Sequence, residues 1–413
     1  MDTKVSSVEP TSAGATSRVW MVPFCATVLA MMTLQMSSLG FAPLLPAIQK
    51  DFGINYSQLG LFTGLYGLVA IAVSLPAGVL ARHFGEKRIL TGGLLLAVAG
   101  LFFLSQASGF AAGLTARVVW LVGYRLAFVT VMMAAAVTSP ASLKSVTMGV
   151  LGAMSSLASV IGAPFGSAIG ESFGWRHGMF AYAGMALLGA VVFWAFYRRP
   201  AHATIHLRDG RARTEHASLR PAWRNPVVWG LAALGLANVG GFSSTFFVPS
   251  ALKSVFRQDA MSAAYVISAA YVTAIFLNLL VGYLADRFNR WSVLTIVIAI
   301  MIPATVAMAS GELRVFRIAT VAIISLGLAA TNQIYAIAGE LLPARELGPV
   351  MGIVSLGSGV FGYAGPQALG VLRDWTGGFS AGWFFLTVAS TLALIVVGFC
   401  RRRSRNAYAV TAA

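Results

Sequence analysis

The sequence GVLARHFGEKR at residues 78–88 joins two long apolar runs, and a second version of it, GYLADRFNR, returns at residues 282–290, about 204 positions later. Each copy opens with Gly-x-Leu-Ala, and small residues of this kind let two helices approach closely. The chain then turns through a cluster of charged residues, as at the end of a helical hairpin. Because one hairpin occurs twice, the sequence indicates two related halves.

The composition of the chain is that of an integral membrane protein. Of its 413 residues, 58% are hydrophobic and 10% are charged, and the mean hydropathy is +0.79, whereas soluble domains carry about 25% charged residues. Apolar runs of roughly 18 to 27 residues recur, long enough for helices to cross a hydrocarbon core about 30 Å thick. Barrel strands would be about ten residues long with alternating polarity, so the predicted fold class is all-α.

Twelve membrane spans are predicted, with boundaries set by the apolar runs. They cover residues 19–46, 57–81, 89–106, 111–136, 146–170, 178–197, 227–252, 262–284, 292–309, 317–341, 350–372 and 381–400. With the N-terminus in the cytoplasm, about 20 of the 29 Lys and Arg residues fall in cytoplasmic segments, and such asymmetry sets orientation. We therefore expect a multi-pass protein of the bacterial inner membrane with both termini in the cytoplasm, and the net charge of +16 reflects this topology rather than nucleic-acid binding.

The widest gap between spans divides the chain into two bundles. The predicted organisation is a cytoplasmic tail at 1–18, a six-helix bundle at 19–197, a basic linker at 198–226, a second six-helix bundle at 227–400 and a C-terminal tail at 401–413. The linker holds seven arginines and is either a solvated connection or a patch that binds lipid or a partner. Cys25 and Cys400 lie far apart in apolar runs and are expected to be packing residues.

The two hairpins resemble the loop between the second and third helices of the major facilitator superfamily, usually written G-x-L-A-D-R-x-G-R-R. Two further pairs of segments repeat at nearly the same offset, residues 140–149 with 343–352 and residues 173–176 with 374–377. The resemblance covers Arg18 to Arg403 and implies two parallel six-helix bundles with a substrate cavity between them near the midplane. It also implies a secondary transporter that works by alternating access, and we expect it to act as a monomer.

The fourth span holds two arginines, each of which needs water or an anionic partner, because a cation in the bilayer costs several kcal/mol. Arg117 matches the superfamily's fourth-helix motif, R-x-x-x-G-x-G-x-G, with Leu121 at the first glycine, and the resemblance implies a positioning or gating role; direct substrate contact is the alternative. Arg125 lies about 12 Å deeper on an adjacent strip of the helix. Its planar fork suits a carboxylate or similar oxyanion, and pairing with a backbone carbonyl or water is the alternative.

Neutral polar residues supply the other predicted substrate contacts. In the superfamily the first, fourth, seventh and tenth helices line the cavity. The candidates besides the two arginines are Gln35, Tyr66, Asn238, Asn332 and Gln333. Any of them could instead be an interhelical hydrogen-bond partner, although adjacent amides at 332 and 333 cannot both face one packing surface.

A second set of residues is predicted to control conformation. Arg82 stands where the superfamily's aspartate belongs and Glu86 where an arginine does. The resemblance implies that this aspartate contacts the positive end of the eleventh helix, and we hypothesise that Glu86 takes over this contact. The alternative is that the contact is weakened and the resting conformation shifts. The fifth span resembles an antiporter signature, with Ala163 separating its glycine from its proline. The predicted gating residues are Gly78, Arg82, Gly85, Glu86, Arg88, Gly162, Pro164, Gly166, Gly282, Asp286, Arg287, Arg290 and Pro366.

The predicted function is secondary transport of a small organic or inorganic anion, with a possible coupling proton or counter-substrate. The spans contain no histidine, and their acids fall at or beyond helix ends. The alternative is proton-coupled export of amphipathic compounds, suggested by the fifth-span signature and by methionines in the first and fourth spans; a non-transporting sensor is a remote one. An enzyme is not expected, because the five histidines show no catalytic spacing. Neither a cofactor nor a metal is predicted.

Overall fold

The computed structural model describes residues 20–140, 143–198, 225–340 and 347–411. Every regular element in these ranges is a helix. The first half contains α1 (Met21–Gly40), α2 (Leu45–Phe52), α3 (Tyr56–Phe84), α4 (Glu86–Ser105), α5 (Phe110–Thr138), α6 (Lys144–Phe173) and α7 (Trp175–Phe196). The second half contains α8 (Pro226–Ala233), α9 (Leu236–Ser254), α10 (Ala260–Arg287), α11 (Arg290–Ala307), α12 (Leu313–Glu340), α13 (Leu347–Thr376) and α14 (Ser380–Thr411).

The helices form twelve transmembrane spans in two six-helix bundles, which confirms the predicted fold class. Among the described residues, eleven helical segments are long and apolar enough to cross a bilayer, and α13, with 30 residues, is the twelfth span. Most predicted boundaries lie within about four residues of the observed helix ends. The exceptions are the end of the first span and α14, which continues to Thr411. The predicted terminal tail at 1–18 and most of the linker lie outside the described residues.

Two spans are broken, and the apolar runs did not predict either break. The first span passes from α1 through a 3-10 turn at Ala42–Leu44 into α2. Prolines at 43 and 46 cause this break, because proline has no N–H to donate to the preceding turn. The seventh span is broken between α8 and α9 at Gly235, where an added Cβ would lie 2.9 Å from the backbone of Gly357. The break therefore brings the backbones of the seventh and eleventh spans together.

The two halves touch at the face opposite the 78–88 and 282–290 hairpins. We call the face with these hairpins the basic face and the other the opposite face. Between α3 and α13, glycines at 60, 64 and 67 let the two backbones meet, and an added Cβ on Gly64 would lie 2.9 Å from the carbonyl oxygen of Tyr363. Between α6 and α10, the Ser268 hydroxyl donates to the carbonyl of Val160 at 2.6 Å. These contacts close the opposite face.

The same helices separate toward the basic face. Gly78 lies three turns beyond Gly67 on the same side of α3, and Gly352 lies two turns beyond Gly359 on the same side of α13. An added Cβ at Gly78 or Gly352 would meet no atom within 4 Å. The equivalent positions on α6 and α10, Gly149 and Gly282, are open in the same way. The cleft between the halves is therefore open to the basic face.

Candidate functional site

Arg125 lies on α5 beside the junction of the two halves. Its guanidinium carbon is 4.3 Å from the ring centre of Tyr66 on α3, and the rings of Tyr124 and Phe128 lie at 5.8 and 5.9 Å. The side chain is half-buried. No ion pair to Arg125 occurs within the part of the chain that the structure describes. Arg125 thus stacks on an aromatic ring with its charge uncompensated, an arrangement that suits an incoming anion.

The second half contributes aromatic rings and an amide to the same region. The ring of Phe242 on α9 lies 5.2 Å from the ring of Tyr66, and Phe246, one turn along, lies 5.0 Å from Phe242. Asn238 precedes Phe242 by one helical turn and therefore shares its face. Asn238 also packs beside α12, with its Oδ1 3.6 Å from the position of a Cβ on Gly327. Residues from both halves therefore meet at the ring of Tyr66, on which Arg125 stacks.

Gln35 ties three helices of the first half together. Its Oε1 accepts a hydrogen bond from the hydroxyl of Tyr124 on α5, and its Nε2 donates to the Ser155 hydroxyl on α6 at 2.9 Å. An amide offers two donors and two acceptor positions, and hydrogen bonds to the described residues use one of each. Gln35 fixes Tyr124, and with it the segment of α5 that carries Arg125.

Arg117 is separate from this cluster and lies beneath the closed face. It is fully buried among the rings of Trp120, Phe41 and Phe62, whose centres lie 4.1, 4.2 and 5.6 Å from its guanidinium carbon. Its three nitrogens have no hydrogen-bond partner among the described residues. Phe41 in turn packs 5.8 Å from Phe246 of the second half. Arg117 does not line the open cleft in this conformation, and its position favours the gating role over direct substrate contact.

The adjacent amides on α12 point in different directions, as their spacing requires. Asn332 is exposed and its Nδ2 donates to Oδ1 of Asn278 on α10 at 3.1 Å. Gln333 is buried, and its Oε1 has no hydrogen-bond partner among the described residues. By the repeat offset, Asn332 lies one turn nearer the basic face than Arg125 does. Among the described residues, no hydrogen bond links either amide to Arg125 or to the tyrosines beside it.

The two basic-face hairpins are held differently. In the second half, Nη2 of Arg290 lies 2.5 Å from Asp286 and Nε lies 2.6 Å from Glu340 on α12, while Arg287 donates to the hydroxyl of Tyr283. In the first half, Glu86 is buried and accepts a hydrogen bond from the hydroxyl of Tyr197, just beyond the end of α7, at 3.1 Å. The equivalent charges of the two hairpins therefore have different partners.

Other predicted gating residues lie at helix ends or in packing contacts. Arg82 and Arg88 are exposed, and Gly85 ends α3 with a φ of 87° that favours glycine. In α6, which contains Pro164, the contacts of Gly162 and Gly166 fall within the first half, where Gly162 packs against α1 and its carbonyl accepts from the hydroxyl of Tyr182 at 2.6 Å. Pro366 meets Gly60 across the two halves.

Glu86→Arg is expected to lower the free energy of unfolding by about 3 kcal/mol or more, because it replaces a buried, hydrogen-bonded carboxylate with a cation. The Arg82→Asp/Glu86→Arg double variant should be equally unstable, since Arg82 is exposed. Thermal unfolding of the detergent-solubilised protein measures this, and Arg82→Asp alone is the control. A double variant as stable as the wild type would instead support the hypothesis that the two charges have been exchanged.

Four residues of the site were not predicted as substrate contacts: Tyr124, Phe128, Ser155 and Phe242. Tyr124 and Phe128 neighbour Arg125 in sequence or one turn away, so helical spacing could have found them. Phe242 could have been found one turn from Asn238 by the same spacing. Ser155 contacts Gln35 across 120 residues, and no local pattern indicates that pairing.

Comparison with known proteins yields one family. The family profile described as Major Facilitator Superfamily matches residues 24–334. Similar relatives include the uncharacterized transporter YybO of Bacillus subtilis, 25% identical over 86% of this chain and 85% of YybO. The probable nitrate transporter NarT of Staphylococcus haemolyticus is 24% identical over 86% of this chain and 91% of NarT.

A solved structure shares the fold. It is a bacterial homologue of the human lysosomal transporter Spinster, in an inward-facing and occupied conformation. The two structures superpose with a TM-score of 0.77 and share 16% sequence identity, and the alignment covers 95% of this chain and 98% of the Spinster homologue. Because the family profile covers most of the chain, with twelve spans in two repeated halves, the protein belongs to the Major Facilitator Superfamily.

Proposed function

We propose that this chain is a secondary transporter of a small organic anion, which binds between the two halves with its negative group on Arg125. The observation that carries the proposal is the half-buried guanidinium of Arg125, which has no ion pair among the described residues and stacks on Tyr66 at 4.3 Å. An uncompensated cation within the bilayer is costly, so a bound anion stabilises the site.

The rings around Arg125 favour an anion with an apolar body. A guanidinium that stacks on an aromatic ring keeps its in-plane N–H groups free for a carboxylate. Tyr66, Phe128 and Phe242 then offer apolar surface to the rest of the molecule. Nitrate, suggested by the name of the Staphylococcus relatives, is the inorganic alternative within the same class.

Transport follows if the two halves rock about the bound anion. Because Tyr66 and Phe242 belong to different halves and lie 5.2 Å apart, a ligand on Arg125 would contact both halves at once. The positive-inside asymmetry supports a cytoplasmic basic face and cytoplasmic termini in an inner membrane. Two bundles in one chain complete the cavity, which supports a monomer, with a proton or counter-substrate as the coupling species.

Export of amphipathic compounds is the second candidate. The aromatic rings of Tyr66, Phe242 and Phe246 favour it, because they would also receive an apolar compound without a charge. The methionines give it less support, since Met31 and Met36 are buried in the core of the first half.

Competition in proteoliposomes tests the proposal. Purified protein is reconstituted, and a panel of aromatic carboxylates, short aliphatic carboxylates, nitrate and hydrophobic cations is screened by thermal shift and then by counterflow. Aromatic carboxylates are expected to bind and exchange best, because they use both the guanidinium and the rings. If only nitrate binds and exchanges, the substrate is an inorganic anion. If only hydrophobic cations do so, the result supports export of amphipathic compounds and overturns the proposal.

A further inference from the structure

At the opposite face each half extends a carboxylate to a helix of the other half. Asp374, near the end of α13, accepts hydrogen bonds from the backbone N–H groups of Tyr56 and Ser57 at 3.0 and 2.7 Å and from the Ser57 hydroxyl at 2.5 Å. Glu171, near the end of α6, accepts from the backbone N–H of Met261 at 2.8 Å. Both acceptors therefore sit at the first turn of a helix in the opposite half.

The two contacts are related by the internal repeat. Asp374 follows Glu171 by 203 residues, and Met261 follows Ser57 by 204 residues, the same offsets that relate the basic-face hairpins and the segments after the fourth and tenth spans. The fifth helix of each half thus caps the second helix of the other half. A single contact could be incidental, but a pair that obeys the repeat is a property of the doubled fold.

Both recipient helices already carry a cap from their own half. Asn55 accepts from the N–H of Gln58 at 2.8 Å, and its equivalent Asp259 accepts from the N–H of Ser262 at 2.7 Å. A helix start leaves four N–H groups without internal partners, and its end of the helix dipole is positive. The carboxylates from the other half satisfy N–H groups that the local caps leave open. They are therefore not needed for the helices to start.

The contacts exist only while the halves meet at this face. If the opposite face opens, Asp374 moves away from α3 and Glu171 moves away from α10, and the two carboxylates and their donor groups become hydrated. We propose that Glu171 and Asp374 form a paired latch that stabilises the conformation closed at the opposite face and so sets how often the transporter opens there. The latch depends on alternating access but not on the identity of the substrate.

The two arms of the latch differ in strength. Asp374 accepts three hydrogen bonds and Glu171 accepts one. Both carboxylates are exposed, so water screens their attraction to the helix ends. Asp374→Asn is therefore expected to shift the balance toward opening roughly tenfold, and Glu171→Gln roughly threefold. The arms lie on separate helix pairs, so the effects should multiply in the double variant.

Thiol labelling from both faces measures the balance of conformations. In a background with both native cysteines replaced by alanine, Ser268→Cys reports on the opposite face, because Ser268 is buried between α6 and α10. Ser74→Cys reports on the open cleft, because Ser74 lies on the side of α3 that carries Gly67 and Gly78. The latch variants should raise labelling of Ser268→Cys by an impermeant maleimide, while labelling of Ser74→Cys falls by a smaller factor, because the conformation closed at the opposite face remains the more populated one.

Asp259→Asn is the matched control for Glu171→Gln. Both residues accept a hydrogen bond at the start of α10, but Asp259 belongs to the same half as that helix. Asp259→Asn should leave both labelling rates near those of the parent. The latch is refuted if the double variant labels like the parent, or if Asp259→Asn matches Glu171→Gln, which acts at the same helix start. A rise at both cysteines together would mean general loosening and would also count against it. None of these results depends on which substrate binds, so the anion proposal is tested separately.

Discussion

Arg125→Gln is expected to lower kcat/KM for the transported anion by about 100-fold, because truncating one partner of a desolvated charge pair costs roughly 2–5 kcal/mol. Glutamine keeps a polar side chain but loses the charge and the fork of N–H groups. Initial rates of uptake into proteoliposomes, measured over a range of anion concentrations, give the effect. The loss should fall mainly on binding, so a thermal shift produced by the anion should disappear as well.

Arg125→Lys separates charge from geometry. Lysine keeps the positive charge but offers no planar fork and stacks less well on Tyr66, so an intermediate loss of about tenfold is expected. Because no acid among the described residues pairs with Arg125, neither variant leaves a buried carboxylate without a partner, and the unfolding temperature without ligand should stay close to that of the wild type. Unchanged anion affinity in Arg125→Gln would overturn the anion proposal.

Arg117→Gln is the matched control for Arg125→Gln, because it removes the other arginine of the same helix, α5. The guanidinium of Arg117 lies in a closed cage of three rings, so it reaches the anion only if the opposite face opens. We expect anion binding from the basic face to persist in this variant while the transport rate falls. An equal loss of binding in both arginine variants would show that the two cations act on the ligand together.

Local sequence pattern predicts much of this fold. Apolar length predicts the twelve spans, and the repeat predicts two equivalent halves, because both signals are contained in short stretches. Arg125 is identified by the same kind of local signal, since a cation in an apolar helix needs a specific partner, and its role as a substrate contact stays a prediction. Contacts such as that between Tyr56 and Asp374, 318 residues apart, depend on how the halves dock, and spans alone do not specify docking.

Glu86 shows that equivalent positions in the two halves can have different side-chain partners. Its equivalent in the second half, Arg290, pairs with Asp286 and Glu340. That Glu86 takes over the contact of the motif's aspartate with the eleventh helix stays a prediction. In the structure Glu86 is buried against Tyr197. The position is shared between the halves, but α12 carries an acid near its end where α5 has none, so the hairpins have different neighbours. Equivalent positions predict equivalent backbone, not equivalent side-chain partners.

Gly78→Leu is expected to reduce transport at least tenfold while leaving anion binding from the basic face intact, because overpacking a contact costs about 1–3 kcal/mol or more. Gly60 meets Pro366 and Gly67 meets Gly359 in an antiparallel register. In that register Gly78 lies opposite residue 348 at the start of α13 and Gly352 lies opposite residue 74 of α3, so closing the basic face must press each glycine against the other helix. A leucine has room in the open cleft but not in that contact. Flux in proteoliposomes and the thermal shift with ligand measure the two effects.

Gly92→Leu is the control, because Gly92, like Gly78, is a helical glycine with no atom within 4 Å of an added Cβ, yet it lies on α4, away from the contact between α3 and α13. It should transport normally. Gly352→Leu should behave like Gly78→Leu, and combining the two should add little, since one obstruction already prevents closure. If Gly78→Leu transports as well as Gly92→Leu, the halves do not close along this stripe, and rocking about the α3 and α13 contact is the wrong motion.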